Sequence, residues 1–149
     1  MCSSDLDFRN LLGIESYSIT DNVSAITALV NDDCWENSYK EWLKTSNINS
    51  HDCLFVMSVG GGDQKLHISE NLVRAIEHTK SVGGKVVGIV GRDGGFLSKN
   101  SDAHVLVQVD ENSQVTTQVE GFQSLIWHLM VGHPALSNKA PKWESMETR

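Results

Sequence analysis

Two short, uninterrupted apolar runs constrain this chain more than anything else in it. They are Cys53-Leu54-Phe55-Val56-Met57-Ser58-Val59 and Lys85-Val86-Val87-Gly88-Ile89-Val90. Each is too short for a helix, and a strand that does not alternate apolar with polar residues is buried on both faces. Between them, Ser69 to Val82 sets Leu72, Val73, Ile76 and Thr79 on one side of a helix. Ser69 is expected to cap that helix, and Gly83-Gly84 to end it. Strand, helix and strand joined by a crossover of this length form a parallel unit. The expected fold class is therefore α/β, with a parallel sheet between helical layers.

The rest of the chain is read around that unit. Ile14–Ile19 reads as a short strand and Asp21-Asn22 as a turn or cap. Val23–Val30 and Trp35–Thr45 read as helices, the second with Trp35, Tyr39, Trp42 and Leu43 at helical spacing. Val105–Val109 reads as a further strand after an irregular helical stretch, and Val119–Val131 as the last helix. From His133 onward the pattern fades into a tail.

Composition narrows the function classes. A chain of 149 residues, 40% hydrophobic and 21% charged, holds one domain with a real core. Its net charge of −7, with no run of Lys and Arg, argues against binding a phosphate backbone, so no nucleic-acid partner is expected. No apolar stretch approaches the ~20 residues of a membrane span, and no membrane partner is expected. The opening residues lack the basic-then-apolar pattern of a secretory leader. Cys2, Cys34 and Cys53 are odd in number and unpatterned, as reduced thiols in a cytoplasm are.

In parallel α/β sheets the ligand sits at the carboxyl ends of the strands. Two loops fall there, Gly60–Ile68 and Gly91–Gly95. In the first, Ser58-Val59-Gly60-Gly61-Gly62-Asp63 follows a buried strand directly. Consecutive glycines let backbone N–H groups point into one concavity that suits an anion such as phosphate. A loop that merely needs positive φ angles reads equally well. No Gly-Lys-Ser/Thr follows, and the G-x-G-x-x-G spacing is absent, so neither nucleotide fingerprint applies. Asn31 and Asp32 could bond sugar hydroxyls, or simply end a helix. Glu120 and His128, eight residues apart, share one helix face. The ~12 Å of axial rise between them makes weak evidence for a metal pair. His128 suits acid–base work or an ordinary hydrogen bond on a half-buried helix. Arg92 and Asp93 could pair with each other, approach a ligand, or form a solvated turn.

From about Gly13 to Leu136 the chain resembles the sugar isomerase (SIS) domain, a phosphosugar-binding module of flavodoxin-like fold. Within that family it is most similar to the sedoheptulose 7-phosphate (phosphoheptose) isomerase group. Four segments carry the resemblance in order: Asp21-Asn22-Val23-Ser24-Ala25-Ile26 through Asn31-Asp32; Asp52 through Ser58; Gly91-Arg92-Asp93-Gly94-Gly95 with Ser101-Asp102-Ala103; and Val119–Val131. The resemblance implies aldose–ketose isomerisation of a sugar phosphate by a cytoplasmic homo-oligomer. It implies that Ser58, Val59, Gly60, Gly61, Gly62 and Asp63 contact the phosphate, with Asn31 and Asp32 near the sugar. The family's last helix carries a glutamine and, eight residues on, a histidine, matched here by Glu120 and His128. His128 would be the acid/base, and with Glu120 a ligand where zinc is bound.

The chain departs from the family at two places. The family's phosphate loop is S-T-S-G-N-S, of which only Ser58 and Gly61 survive, and Asp63 would repel an anion unless it points away. Nothing in the chain matches the family's opening helices, its central strand with a G-N-G-G-S loop, or the helix bearing a histidine and the catalytic glutamate. That strand normally lies between the strands read at Ile14–Ile19 and Cys53–Val59. Met1-Cys2-Ser3-Ser4-Asp5-Leu6 is also what GTG TGC TCT TCC GAT CT encodes, a string that matches the end of a common sequencing adapter. The expected organisation is a non-native leader over 1–6, a partial SIS domain over 7–136 and a tail over 137–149. Such a chain is expected to be marginally stable and a poor catalyst alone. The alternatives are a non-catalytic phosphosugar-binding module, or a subunit whose site another chain completes.

Overall fold

The computed structural model describes residues 4–136. The expected tail over 137–149 and the first three residues of the expected leader lie outside the described residues. The described residues divide into two compact units, Ile19–Gln123 and residues 4–18 with 124–136.

The larger unit holds a parallel sheet built as the apolar runs dictate. Strand β1 is Cys53–Ser58, β2 is Lys85–Val90 and β3 is Ala103–Leu106, in the order β1-β2-β3. Cys53 pairs with Lys85 and Ser58 with Val90, while Val87 pairs with Ala103 and Val90 with Leu106. Helix α2 (Val23–Asp32) precedes a single 3-10 turn, Trp35–Asn37, and α3 (Ser38–Thr45). Helix α4 (Glu70–Ser81) links β1 to β2, and the short α5 (Gly95–Asn100) links β2 to β3.

Side chains alternate across a strand, so Val56 of β1 and Val86, Gly88 and Val90 of β2 share one face. There Val56, Val86 and Val90 pack with Ile76 of α4 and Leu97 of α5 into the core. Gly88 is glycine because a Cβ would stand 2.7 Å from Leu97 Cδ2 and 2.8 Å from the Val56 carbonyl. Helix α6 (Val115–Val131) contributes residues 115–123 to this unit. Its Val119 packs against Gly91, and the buried Gln123 amide donates to the Ile89 carbonyl at 3.3 Å. The parallel α/β sandwich is thus the expected one, with both central runs forming strands where the sequence placed them.

Four local expectations are corrected. Ile14–Ile19 is not a strand. Ile14 and Tyr17 are about half exposed, and among the described residues no strand lies beside them. Strand propensity is realised only against a neighbouring ladder. Ser69 caps nothing with its side chain, since its backbone is left-handed at φ +51. Its carbonyl instead accepts from Leu72 and Val73. The third strand begins at Ala103 rather than Val105, and α6 begins at Val115 rather than Val119. Helix α2 does have the expected cap: the Asn22 side chain accepts the Ala25 amide at 3.0 Å.

The smaller unit contains α1 (Ser4–Leu12), which the sequence pattern does not announce, and residues 124–131 of α6. Helix α1 closes at Gly13, φ +69, where the Gly13 and Ile14 amides return to the Arg9 and Phe8 carbonyls. No helix among the described residues is long and apolar enough to cross a membrane.

Candidate functional site

The two glycine clusters that follow β1 and β2 pack backbone against backbone. A Cβ on Gly61 would stand 2.1 Å from the Gly94 carbonyl oxygen, and one on Gly95 would stand 2.2 Å from that of Gly60. Side chains are excluded because the main chains themselves touch. The contact is directional: the Gly62 and Gly61 carbonyls accept the Phe96 and Leu97 amides at 2.7 and 2.9 Å. They thereby satisfy first-turn donors of α5 that a helix start otherwise leaves open. The Val59 carbonyl accepts the Gly91 amide at 3.1 Å, which ties the two loops where they leave the sheet.

With its carbonyls turned to α5, the 58–63 loop keeps amides for something else. The half-buried Ser58 hydroxyl accepts the Gly61 amide at 3.0 Å, leaving its own proton to donate. The Gly60 and Gly62 amides donate to no protein acceptor among the described residues. Asp63 turns into its own loop, where one carboxylate oxygen accepts the Lys65 and Leu66 amides at 2.8 and 3.0 Å. Those amides, that of Leu66 foremost, hold its carboxyl below the usual range. The anionic group is thus engaged by its own backbone, while the Ser58 hydroxyl and the amides of Gly60 and the buried Gly62 have no protein acceptor among the described residues. These are the requirements of an anion site at the carboxyl end of a parallel sheet.

The other candidates are less gathered. Asn31 and Asp32 lie exposed at the end of α2, where the Asn31 amide donates to the Asp32 carboxylate at 3.0 Å. Helix α2 packs on α3 and the Trp35–Asn37 turn. No hydrogen bond joins Asn31 or Asp32 to residues 58–63 among the described residues. Glu120 is exposed on the part of α6 in the larger unit. His128 belongs to the smaller unit. Its Nδ1 donates to the Ser124 carbonyl at 2.6 Å, so the lone pair of the neutral ring is on Nε2. That Nε2 lies 3.5 Å from an Asp7 carboxylate oxygen, which also accepts the Trp127 indole N–H at 3.2 Å. Asp7 is the partner that sequence reasoning missed. It lies 120 residues from Trp127, and nothing local marks it.

No group of three or more His, Cys, Asp or Glu side chains that could hold a metal ion occurs among the described residues. Zinc takes four ligands, of which the expected pair, Glu120 and His128, would be two. His128 also directs Nδ1 to a carbonyl and Nε2 to Asp7.

Comparison with known proteins adds a second line of observation. No family model matches the chain. A phosphoheptose isomerase of Helicobacter pylori (strain P12) is 28% identical over 118 residues, 79% of this chain and 56% of the relative. The lincomycin biosynthesis protein LmbN of Streptomyces lincolnensis is 31% identical over 120 residues, 77% of this chain and 42% of the relative. Among solved structures, a phosphoheptose isomerase from Neisseria gonorrhoeae is similar with a TM-score of 0.69. That match covers 86% of this chain and 67% of the other, at 22% identity. The chain spans about half the length of the curated relatives it matches. Its fold is that of the SIS domain, as the order of sequence segments implies.

Proposed function

We propose that this SIS-fold chain, similar in sequence to the phosphoheptose isomerases, binds a sugar phosphate at the 58–62 loop and serves its aldose–ketose isomerisation. The observation that carries the reading is the loop itself. Ser58, Gly60 and Gly62 present donors at the carboxyl end of a parallel sheet, while Asp63 is occupied by its own turn. Preorganised donors of this kind hold a phosphate without reorganising. The relatives named phosphoheptose isomerase support a seven-carbon ketose phosphate, such as sedoheptulose 7-phosphate, as the substrate.

In that reaction a base takes the proton beside the carbonyl, an enediolate forms, and a proton returns at the neighbouring carbon. His128 is proposed as the acid/base. Its Nδ1 is fixed by the Ser124 carbonyl, so the proton is proposed to move through Nε2, the nitrogen beside Asp7. Asn31, Asp32 and Glu120 are proposed to bond the sugar hydroxyls. The protein is proposed to act in the cytoplasm as a homo-oligomer, in which a neighbouring copy supplies groups the site lacks.

A second reading is a module that binds the sugar phosphate without converting it. The observation favouring it is that His128, the proposed acid/base, has Nε2 3.5 Å from the Asp7 carboxylate. Incubation of the purified chain with sedoheptulose 7-phosphate, followed by carbon NMR, separates the two. Appearance of the aldose above the uncatalysed rate is expected for the isomerase. Saturable binding without conversion favours the module, and absence of both overturns the proposal.

A further inference from the structure

We propose that Arg92 is the cationic anchor for the anionic group held at residues 58–62, an inference that rests on the phosphosugar reading and sharpens it. Arg92 stands in the loop after β2, one residue beyond the Gly91 amide that bonds the Val59 carbonyl. Its side chain lies over the triple-glycine loop. Arg92 Cδ and Nε are 3.7 and 4.0 Å from where a Cβ on Gly60 would stand. The guanidinium has no hydrogen bond or ion pair with any described residue. The adjacent carboxylate does not neutralise it, because Asp93 accepts the Gly95 amide at 3.2 Å instead. An arginine placed on a donor-rich loop and left without an acceptor is arranged to receive one from a ligand, and its planar fork matches a phosphate.

Two further features fit this role. The loop's own donors are neutral, namely backbone amides and the single hydroxyl of Ser58. A nearby cation adds the charge they do not carry. Arg92 also lines an open cleft of about 700 Å³ with Asp93, Gln108, Val109, Asp110 and Val115, a cleft that residues 58–62 do not line. The polar groups there suit sugar hydroxyls, and Arg92 is the residue shared between that cleft and the 58–62 loop. Arg92 further holds a left-handed backbone at φ +52, which a non-glycine residue adopts at a cost.

The test is calorimetric titration of the wild-type chain, R92Q, R92K and R92G with sedoheptulose 7-phosphate and with unphosphorylated sedoheptulose. R92G relieves the positive φ, so one charge-neutral variant keeps the fold. Loss of a charge-assisted hydrogen bond predicts about tenfold to a hundredfold weaker binding of the phosphate by R92Q and R92G. Affinity for sedoheptulose should stay within about twofold, and R92K should recover part of the loss. Should the neutral variants bind the phosphate as tightly as wild type, Arg92 is not the anchor and the phosphosugar reading stands. Should the wild type show no preference for the phosphorylated sugar, the reading itself fails and this inference falls with it.

Discussion

Gly61→Ala probes the packing on which the candidate site depends. Gly61 sits at φ +73, where an L-residue costs about 1 kcal/mol or more. The new methyl would stand 2.1 Å from the Gly94 oxygen, 2.8 Å from its carbonyl carbon and 3.0 Å from Val90 Cγ2. Two of these are backbone atoms, so no rotamer change relieves the clash and the loops must part. Parting them stretches the Phe96 and Leu97 bonds to the Gly62 and Gly61 carbonyls, now 2.7 and 2.9 Å. Each such bond contributes about 1 kcal/mol, and a buried donor left open costs more. The total is about 3–5 kcal/mol, a large part of the stability of an ordinary domain. Gly60→Ala is the internal control. Gly60 has no positive φ, and its added Cβ meets only the Arg92 side chain at ordinary contact distance. Urea unfolding followed by circular dichroism should put Gly60→Ala within about 1 kcal/mol of wild type, with Gly61→Ala far below it. Equal stability of the two variants would refute the backbone-on-backbone account.

Three other outcomes follow from the same structure. Leu97→Ala empties a fully buried position between α5 and the sheet and should cost about 2–5 kcal/mol in the same urea assay. Asp102 is held below the usual carboxylate range, by the Val86 amide first and then by Lys85. A lowered folded value means its contribution is complete above about pH 4 and disappears as pH falls through that lowered value. Urea midpoints of Asp102→Asn should therefore fall below wild type at pH 7 and converge with it as pH falls through that lowered value. Ser58→Ala removes the acceptor of the Gly61 amide and the hydroxyl proposed to donate to the sugar phosphate. Calorimetry should show at least severalfold weaker binding of sedoheptulose 7-phosphate.

Much of the sheet was legible because a short apolar run without alternation leaves a plain signature. Cys53–Ser58 and Lys85–Val90 both form strands, although only β2 is largely buried on both faces and β1, at the edge of the described sheet, is mostly half-buried. The glycine clusters were legible as loops, but not as each other's partner. Their mutual contact depends on two consecutive parallel strands delivering both loops to one end of the sheet. Ile14–Ile19 misled because a strand is a property of a pair, and the pattern records one member. Ser69 misled because a capping residue type was read without the backbone angle that decides whether its hydroxyl can reach. Asp63 could be judged from sequence only as a repulsive charge. The turn that bonds its carboxylate appears with coordinates. Asp7 beside His128, and Arg92 above Gly60, are contacts across the chain that spacing does not encode.

The central claim is that residues 58–62 bind a sugar phosphate through backbone donors, and amide resonances report on those donors directly. In ¹⁵N-labelled protein, titration with sedoheptulose 7-phosphate should shift the Gly60 and Gly62 amides in a saturable way. Unphosphorylated sedoheptulose at the same concentration should leave both in place. Unmoved Gly60 and Gly62 resonances at millimolar sugar phosphate, or shifts confined to residues outside the 58–62 and 91–95 loops, would contradict the account.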